Sequence, residues 1–263
     1  MSIQKIEIFY AGYCVNNEKR MFRGAKSKSV HFPATAVLLK HDKKGYVLFD
    51  TGYSRQNEKT RGIVGFLYKK LNPHYVDEKT ELVNLLKCHG IDQSDVSLII
   101  ISHPHPDHIG GLTDFTSAKF IISDESYKEI RHPSLKSLIF SELLPSDFHN
   151  RAICVSTEDH FSDLFPKTYD VFGDKSALLV PLNGHSRGQM GLYLKDENIL
   201  LAADTCWKEE YLERTGEMRV FPKFLQNNFH EYLETQLWLK KVRQSGIKII
   251  YSHDTPLEDG EIK

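Results

Sequence analysis

Ser102-His103-Pro104-His105-Pro106-Asp107-His108-Ile109-Gly110-Gly111 places three imidazoles and a carboxylate within six consecutive positions, directly after the apolar run 96–101. Neutral imidazole and ionised carboxylate are the natural donors for zinc and related divalent cations. Pro104 and Pro106 cannot continue a strand or a helix interior, so the stretch is expected to be an irregular loop. The loop starts where a buried strand stops, a place from which a rigid scaffold presents side chains. A solvated polar turn has no use for metal-binding groups at this density.

Other apolar runs also stop at a potential ligand. Residues 177–182 lead into Asn183-Gly184-His185, residues 199–203 end at Asp204, and residues 248–251 end at Ser252-His253. One histidine after a strand is commonly a cap or a surface residue. Three such endings beside the four-donor cluster point to one shared site. Upstream, Tyr46-Val47-Leu48-Phe49-Asp50-Thr51-Gly52 ends a further strand on a carboxylate, just before a glycine turn. Asp50 fits two roles: a metal ligand, or the partner that holds the outer N–H of a ligating histidine.

Short runs rich in β-branched and aromatic residues suggest strands at 3–10, 34–40, 46–50, 96–101, 119–123, 177–182, 189–195, 199–203 and 248–252. Two helices are expected between them. At 79–89, Leu82, Leu85 and Leu86 share a face and Gly90 supplies the stop. At 230–245, Leu233, Leu237 and Val242 point inward. Strands alternating with helices indicate an α/β layered architecture. Residues 53–77, 132–175 and 205–228 have no clear period and are expected to be lids or substrate-contacting loops. No repeat or linker interrupts the chain, so 1–263 is read as one domain.

Bulk properties narrow the partners. A formal net charge of −1 argues against nucleic acid held by bulk charge. No apolar run approaches the roughly 20 residues needed to span a bilayer, so no membrane partner is expected. The start of the sequence lacks the apolar core and cleavage site of a signal peptide. Cys14, Cys88, Cys154 and Cys206 form no Cys-x-x-Cys pair and read as free thiols of a reducing compartment, which makes the expected location cytoplasmic.

Taken in order, His103-x-His105-x-Asp107-His108 with Gly110-Gly111, then His185, Asp204 and His253, resemble the ligand set of the metallo-β-lactamase superfamily. The resemblance runs from Phe49-Asp50-Thr51-Gly52 to Ser252-His253, nearly the whole chain. It implies an αββα four-layer sandwich, two mixed β-sheets flanked by helices with the metals at one edge. It also implies two divalent ions, zinc by default, with manganese, iron or cobalt as alternatives. By the same resemblance His103, His105 and His185 would hold one ion, Asp107, His108 and His253 the other, and Asp204 would bridge both.

An Arg in place of His108 would resemble the true β-lactamases, and a Glu in place of His105 the flavodiiron branch; neither departure is present. The intact set is similar to glyoxalase II, to N-acyl-homoserine lactonases and to ribonuclease Z-like phosphodiesterases. Residues 8–14, Phe32-Pro33-Ala34 and Asp50-Thr51-Gly52 resemble the lactonase branch, which opens the ester of a lactone ring. Little after Lys248 offers the basic glutathione-binding segment expected of glyoxalase II, and the near-neutral charge speaks against ribonuclease Z. Lys19, Arg20, Arg23, Lys26 and Lys28 form a basic run, read as a solvated loop or as the receiver of an acidic substrate.

Two departures from the lactonase pattern stand out. Trp207 occupies the place of a substrate-supporting tyrosine three residues after the bridging carboxylate, and Arg187-Gly188-Gln189 replaces the usual Pro-Gly-His. Tyr211 and Tyr53 are the phenols that could stand in, so Trp207, Tyr211 and Tyr53 are the candidate substrate contacts. The expected activity is hydrolysis of a small-molecule carboxylic ester or lactone by a metal-bridging hydroxide, with Asp107 as general base. A phosphodiesterase using the same dinuclear site, and a metal-binding regulatory protein without turnover, are the alternatives.

Overall fold

The apolar runs become strands covered on both faces. In the computed structural model, which describes residues 2–134 and 136–254, two sheets form. The first contains β1 (Ile3–Asn17), β2 (Ser29–His41), β3 (Gly45–Phe49), β4 (His74–Tyr75), β5 (Val96–Ile100), β6 (Lys119–Ser123) and β7 (Ala152–Val155), in the order β4-β1-β2-β3-β5-β6-β7. The second contains β8 (Tyr169–Asp170), β9 (Ala177–Pro181), β10 (Met190–Leu194), β11 (Ile199–Leu201) and β12 (Lys248–Ile250), in the order β12-β11-β10-β9-β8. Both sheets are mixed, as the expected sandwich requires.

Side chains alternate between two cores with the period of a pleated strand. Val37, Leu39, Val47 and Phe49 of the first sheet meet Leu179, Leu192, Leu194 and Leu201 of the second in one buried cluster. Their sequence neighbours Leu38, Leu48, Leu178, Tyr193 and Leu200 turn the other way, into a cluster that includes the helix residues Leu82, Leu86, Leu239 and Val242. Strands with two apolar faces read as continuous apolar runs rather than alternating ones.

Strand direction brings the functional ends together. β3, β5 and β6 are parallel, so their C-terminal ends share one edge of the first sheet. In the second sheet β9 opposes β10, β10 opposes β11, and β11 parallels β12. The C-termini of β9, β11 and β12 therefore also share an edge. The sheets are stitched there, the Met190 N–H donating to the Ser102 carbonyl at 2.9 Å.

Several expected boundaries shift. β1 extends to Asn17 and β2 begins at Ser29, pairing Asn17 with Ser29, so the polar stretch after residue 14 starts as a long hairpin. The last long helix is Phe229–Gln244, and its inward residues are Tyr232, Gln236, Leu239 and Val242. Leu237, expected inward, is 61% exposed. Five residues from Tyr232 it has turned about 140° around the axis, onto the outer face. The three aperiodic segments contain short helices, among them Gly62–Leu71 and Val220–Leu225. Their apolar residues lie on exposed as well as buried faces, which erases the sequence period.

Candidate metal centre

Each candidate ligand leaves a strand at the shared edge. Asp50 follows β3, the 102–108 loop follows β5, His185 follows β9, Asp204 follows β11 and His253 follows β12. Pro106 occupies the first turn of the short helix Pro106–Ile109, where its missing N–H costs no helical bond. That helix lies close against the Asp50-Thr51-Gly52 turn: the Thr51 N–H donates to the His108 carbonyl at 2.8 Å and the Gly110 N–H to the Gly52 carbonyl at 3.1 Å. A Cβ on Gly110 would sit 2.7 Å from that Gly52 oxygen, so only glycine permits the approach.

The donors form two groups, each with its donor atoms within 4.8 Å of one another: His103, His105 and His185; and Asp107, His108, Asp204 and His253. In the first group His105 Nδ1 lies 3.0 Å from both His103 Nε2 and His185 Nε2. In the second, Asp204 faces His108 Nε2 with Oδ1 at 3.2 Å and His253 Nε2 with Oδ2 at 3.1 Å. Asp107 Oδ2 is 3.4 Å from His253 Nε2. Asp204 Oδ2 is also 3.5 Å from His185 Nε2, which ties the two groups together.

The outward ring atoms are already engaged. The His108 Nδ1–H donates to Asp50 Oδ2 at 2.7 Å, and His103 Nδ1–H to Ser102 Oγ at 3.0 Å. Ser102 in turn donates its hydroxyl and its backbone N–H to the Asp50 carboxylate. The His185 Nδ1–H donates to Gln226 Oε1 at 2.9 Å, and His253 Nδ1–H to the Pro33 carbonyl at 2.7 Å. These bonds aim four Nε2 atoms inward, converging with His105 Nδ1 on the two carboxylates.

Such a set fits metal and little else. His108 Nε2 and Asp204 Oδ1, 3.2 Å apart, are buried and neither makes a well-aligned hydrogen bond among the described residues, a costly arrangement unless a cation satisfies them. Nitrogens bound at 2.0–2.1 Å to a tetrahedral ion sit about 3.4 Å apart, close to the spacing in the first group. Burial holds His103 and His105 well below the usual imidazole range, with neighbouring imidazoles adding to it, so both are neutral and ready to ligate. Burial works against charge on His108 and His253 as well, but the Asp204 carboxylate overrides it and raises both.

Backbone strain sits at two of these strand ends. Asp50 has φ 61° and Ala203, just before Asp204, has φ 47°. Left-handed backbone costs a residue with a Cβ about 1–2 kcal/mol, and such outliers gather at functional sites. Asp50 does not join either donor group, and its carboxylate is spent on Ser102 and His108.

Ser102, Gln226 and the Pro33 carbonyl are partners that sequence reasoning missed. Ser102 adjoins the motif, but Gln226 is 41 residues from His185 and nothing in its surroundings marks it. The Gln226 Nε2–H bonds to the Pro222 carbonyl at 3.0 Å, fixing the amide so that Oε1 faces the imidazole. Gln226→Leu is expected to weaken metal binding about tenfold, since partners of ligating histidines carry 10–100-fold. Chelator competition on the folded variant measures this; unchanged affinity would show that His185 needs no such support.

The candidate substrate contacts are dispersed. Trp207 is half-buried four residues before the buried Tyr211. The Tyr211 hydroxyl donates to Glu18 Oε1 at 3.3 Å, and its ring packs on Phe22 and Phe32. Tyr53 is fully buried, stacked on His74, with its hydroxyl 3.0 Å from that of Tyr68. Burial pushes both Tyr53 and Tyr68 well above the usual phenol range.

Comparison with known proteins gives the same picture at family level. Residues 30–253 match the family model of the metallo-beta-lactamase superfamily. The chain is 26% identical over 221 residues to N-acyl homoserine lactonase AiiA of Bacillus thuringiensis subsp. kurstaki, covering 81% of this chain and 80% of that one. It is 27% identical over 238 residues to a probable metallo-hydrolase of Mycobacterium tuberculosis, covering 84% and 74%. A solved N-acyl homoserine lactone hydrolase with N-hexanoyl-L-homoserine at its catalytic metal centre superposes with TM-score 0.72 at 23% identity, over 97% of this chain and 94% of that one. The dizinc quorum-quenching lactonase AidC superposes with TM-score 0.68 at 16% identity, over 98% and 92%. These structural likenesses establish the fold.

Proposed function

The chain belongs to the metallo-β-lactamase superfamily and is a metal-dependent hydrolase, and we propose that it opens the ester bond of a small-molecule lactone or carboxylic ester. The observation that carries this reading is the pair of donor groups joined through Asp204, with His108 present in the second group. The lactonase names among the relatives support the ester class over the phosphodiester class.

In this reading His103, His105 and His185 would hold one ion and Asp107, His108 and His253 the other, with Asp204 shared between the two groups. A nitrogen-rich set with two carboxylates suits zinc, with manganese, iron and cobalt as competitors. Two such ions supply a water acidified toward neutrality and a Lewis acid for the carbonyl oxygen. Asp107 is slightly more open to solvent than the other donors, and its carboxylate takes up the nucleophile's proton. Asp50 and Gln226 keep His108 and His185 oriented. Trp207, whose indole offers one N–H donor, is the proposed substrate contact in place of the lactonase tyrosine; Tyr53 and Tyr211 would reach substrate only by giving up their present hydrogen bonds.

Turnover on an acyl-homoserine lactone, an aryl ester and bis-(p-nitrophenyl) phosphate, with metal content determined on the same sample, tests the proposal. The lactone or ester is expected to lead in kcat/KM by at least about 100-fold, a transition-state preference of ~2.7 kcal/mol. A lead for the phosphodiester would reject the ester reading. Two bound ions with no turnover on any of the three would favour a regulatory metal protein.

A further inference from the structure

Large apolar side chains are exposed on two short helices beside the metal centre. On Gly62–Leu71 these are Ile63, Phe66 and Leu67, and on Val220–Leu225 they are Val220, Phe221 and Phe224; the six are 45–84% exposed. The helices flank one connecting segment. Tyr68 packs on Phe140 at 5.7 Å between ring centroids, the Arg61 N–H donates to Glu142, and Lys136 Nζ sits 3.9 Å above the Phe224 ring. Gln226, which follows the second helix, bonds His185, and Asn57, just before the first, donates to the Pro106 carbonyl. The face therefore rims the metal-ligand loops. Monomeric proteins seldom leave so much apolar surface together unless something covers it.

Charge identifies the cover. Residues 59–76, 130–141 and 218–230 contain eight Lys and Arg and no Asp or Glu, in a chain whose net charge is −1. Lys59, Arg61, Lys70, Lys136 and Arg219 are exposed around the apolar tips, with Lys223 half-buried among them; Glu58, Asp77, Glu129, Glu142, Glu217 and Glu231 bound the three stretches. In a symmetric dimer through this face these cations would oppose their own copies. Apolar tips within a basic rim are instead the composition of an element that lies in the interface of an anionic bilayer.

We infer that this face docks the enzyme peripherally onto anionic lipid, with Ile63, Phe66, Val220, Phe221 and Phe224 entering the headgroup region and the flanking lysines and arginines facing the phosphates. No helix of the described residues is long and apolar enough to cross a membrane. The sequence expectation of no membrane partner rested on that property, and surface docking is a separate one. The inference is independent of the substrate assigned above.

Co-flotation of the whole chain with vesicles of phosphatidylcholine, with and without ~30% phosphatidylglycerol, tests it in 0.1 M salt, where surface charges still act over about 10 Å. Binding to the anionic vesicles alone is expected, reduced at least about tenfold by Phe66→Ser with Phe221→Ser, by Lys70→Glu with Lys223→Glu, or by 0.5 M salt. Hydrolysis of a short soluble ester by these variants should stay unchanged and reports that they fold. Absent binding, or equal binding to neutral and anionic vesicles, would overturn the inference. A concentration-dependent dimer abolished by the same substitutions would overturn it in favour of an interface between copies.

Discussion

Asp204→Asn is expected to lose hydrolytic activity by about 10³-fold or more, several kcal/mol of transition-state stabilisation, while bound metal falls from two ions per chain to one or none. Asp204 is the buried carboxylate that faces all three of His108, His253 and His185, at 3.2, 3.1 and 3.5 Å. Its two oxygens point in different directions, so a neutral amide cannot replace it: the amide nitrogen that takes one oxygen's place has no lone pair to offer a cation, and the charge is gone. The inward Nε2 atoms of His108 and His253 would then have Asp107 as their nearest carboxylate, at 3.9 and 3.4 Å. Asparagine has nearly the same volume, and without the Asp204 charge the buried His108 and His253 rings can shed a proton rather than stay charged, so the fold should survive, as far-UV circular dichroism can check. Elemental analysis and kcat/KM give the two readouts. Two ions and ordinary turnover in this variant would remove Asp204 from the centre and undo the shared-carboxylate arrangement with it.

Local chemistry made the clustering of these donors legible from the sequence. His103, His105, Asp107 and His108 are adjacent, and each remaining donor closes an apolar run, so residue type and strand position agreed. The sandwich was legible because both faces of β2, β3 and β9 are buried, leaving unbroken apolar runs. Partners that act across the fold left no trace. Gln226 supports His185 from just past a short helix whose period is hidden by its exposed Val220, Phe221 and Phe224. The Pro33 carbonyl supports His253 from 220 residues away with an atom that every residue possesses. Leu237 misled for the opposite reason: a leucine at a plausible spacing was read as inward, while Tyr232 and Gln236 set the phase of the buried face. The Gln236 amide donates to the Thr205 carbonyl, so a polar residue holds that face to the segment that carries Asp204.

Asp50→Ala should lower stability by about 3–5 kcal/mol, which at this chain length is a fall of roughly 10 °C in Tm. The carboxylate is fully buried and accepts from three donors: the Ser102 N–H at 2.8 Å, the Ser102 hydroxyl at 2.7 Å and the His108 Nδ1–H at 2.7 Å. Its loss strands all three away from water, and each stranded donor costs about 1–3 kcal/mol. Because His103 leans on the same Ser102 hydroxyl, the substitution loosens a histidine of each donor group at once. Metal affinity should fall by about 10–100-fold in consequence. A second variant separates side chain from backbone. At φ 61° alanine keeps the left-handed strain that glycine does not feel, so Asp50→Gly should recover about 1 kcal/mol of stability relative to Asp50→Ala and none of the metal affinity. Thermal unfolding with and without added metal, beside chelator competition, reads both quantities. If Asp50→Ala keeps its Tm and its metal, the buried hydrogen-bond relay is idle; if Asp50→Gly recovers affinity as well, backbone shape rather than the carboxylate aligns the histidines.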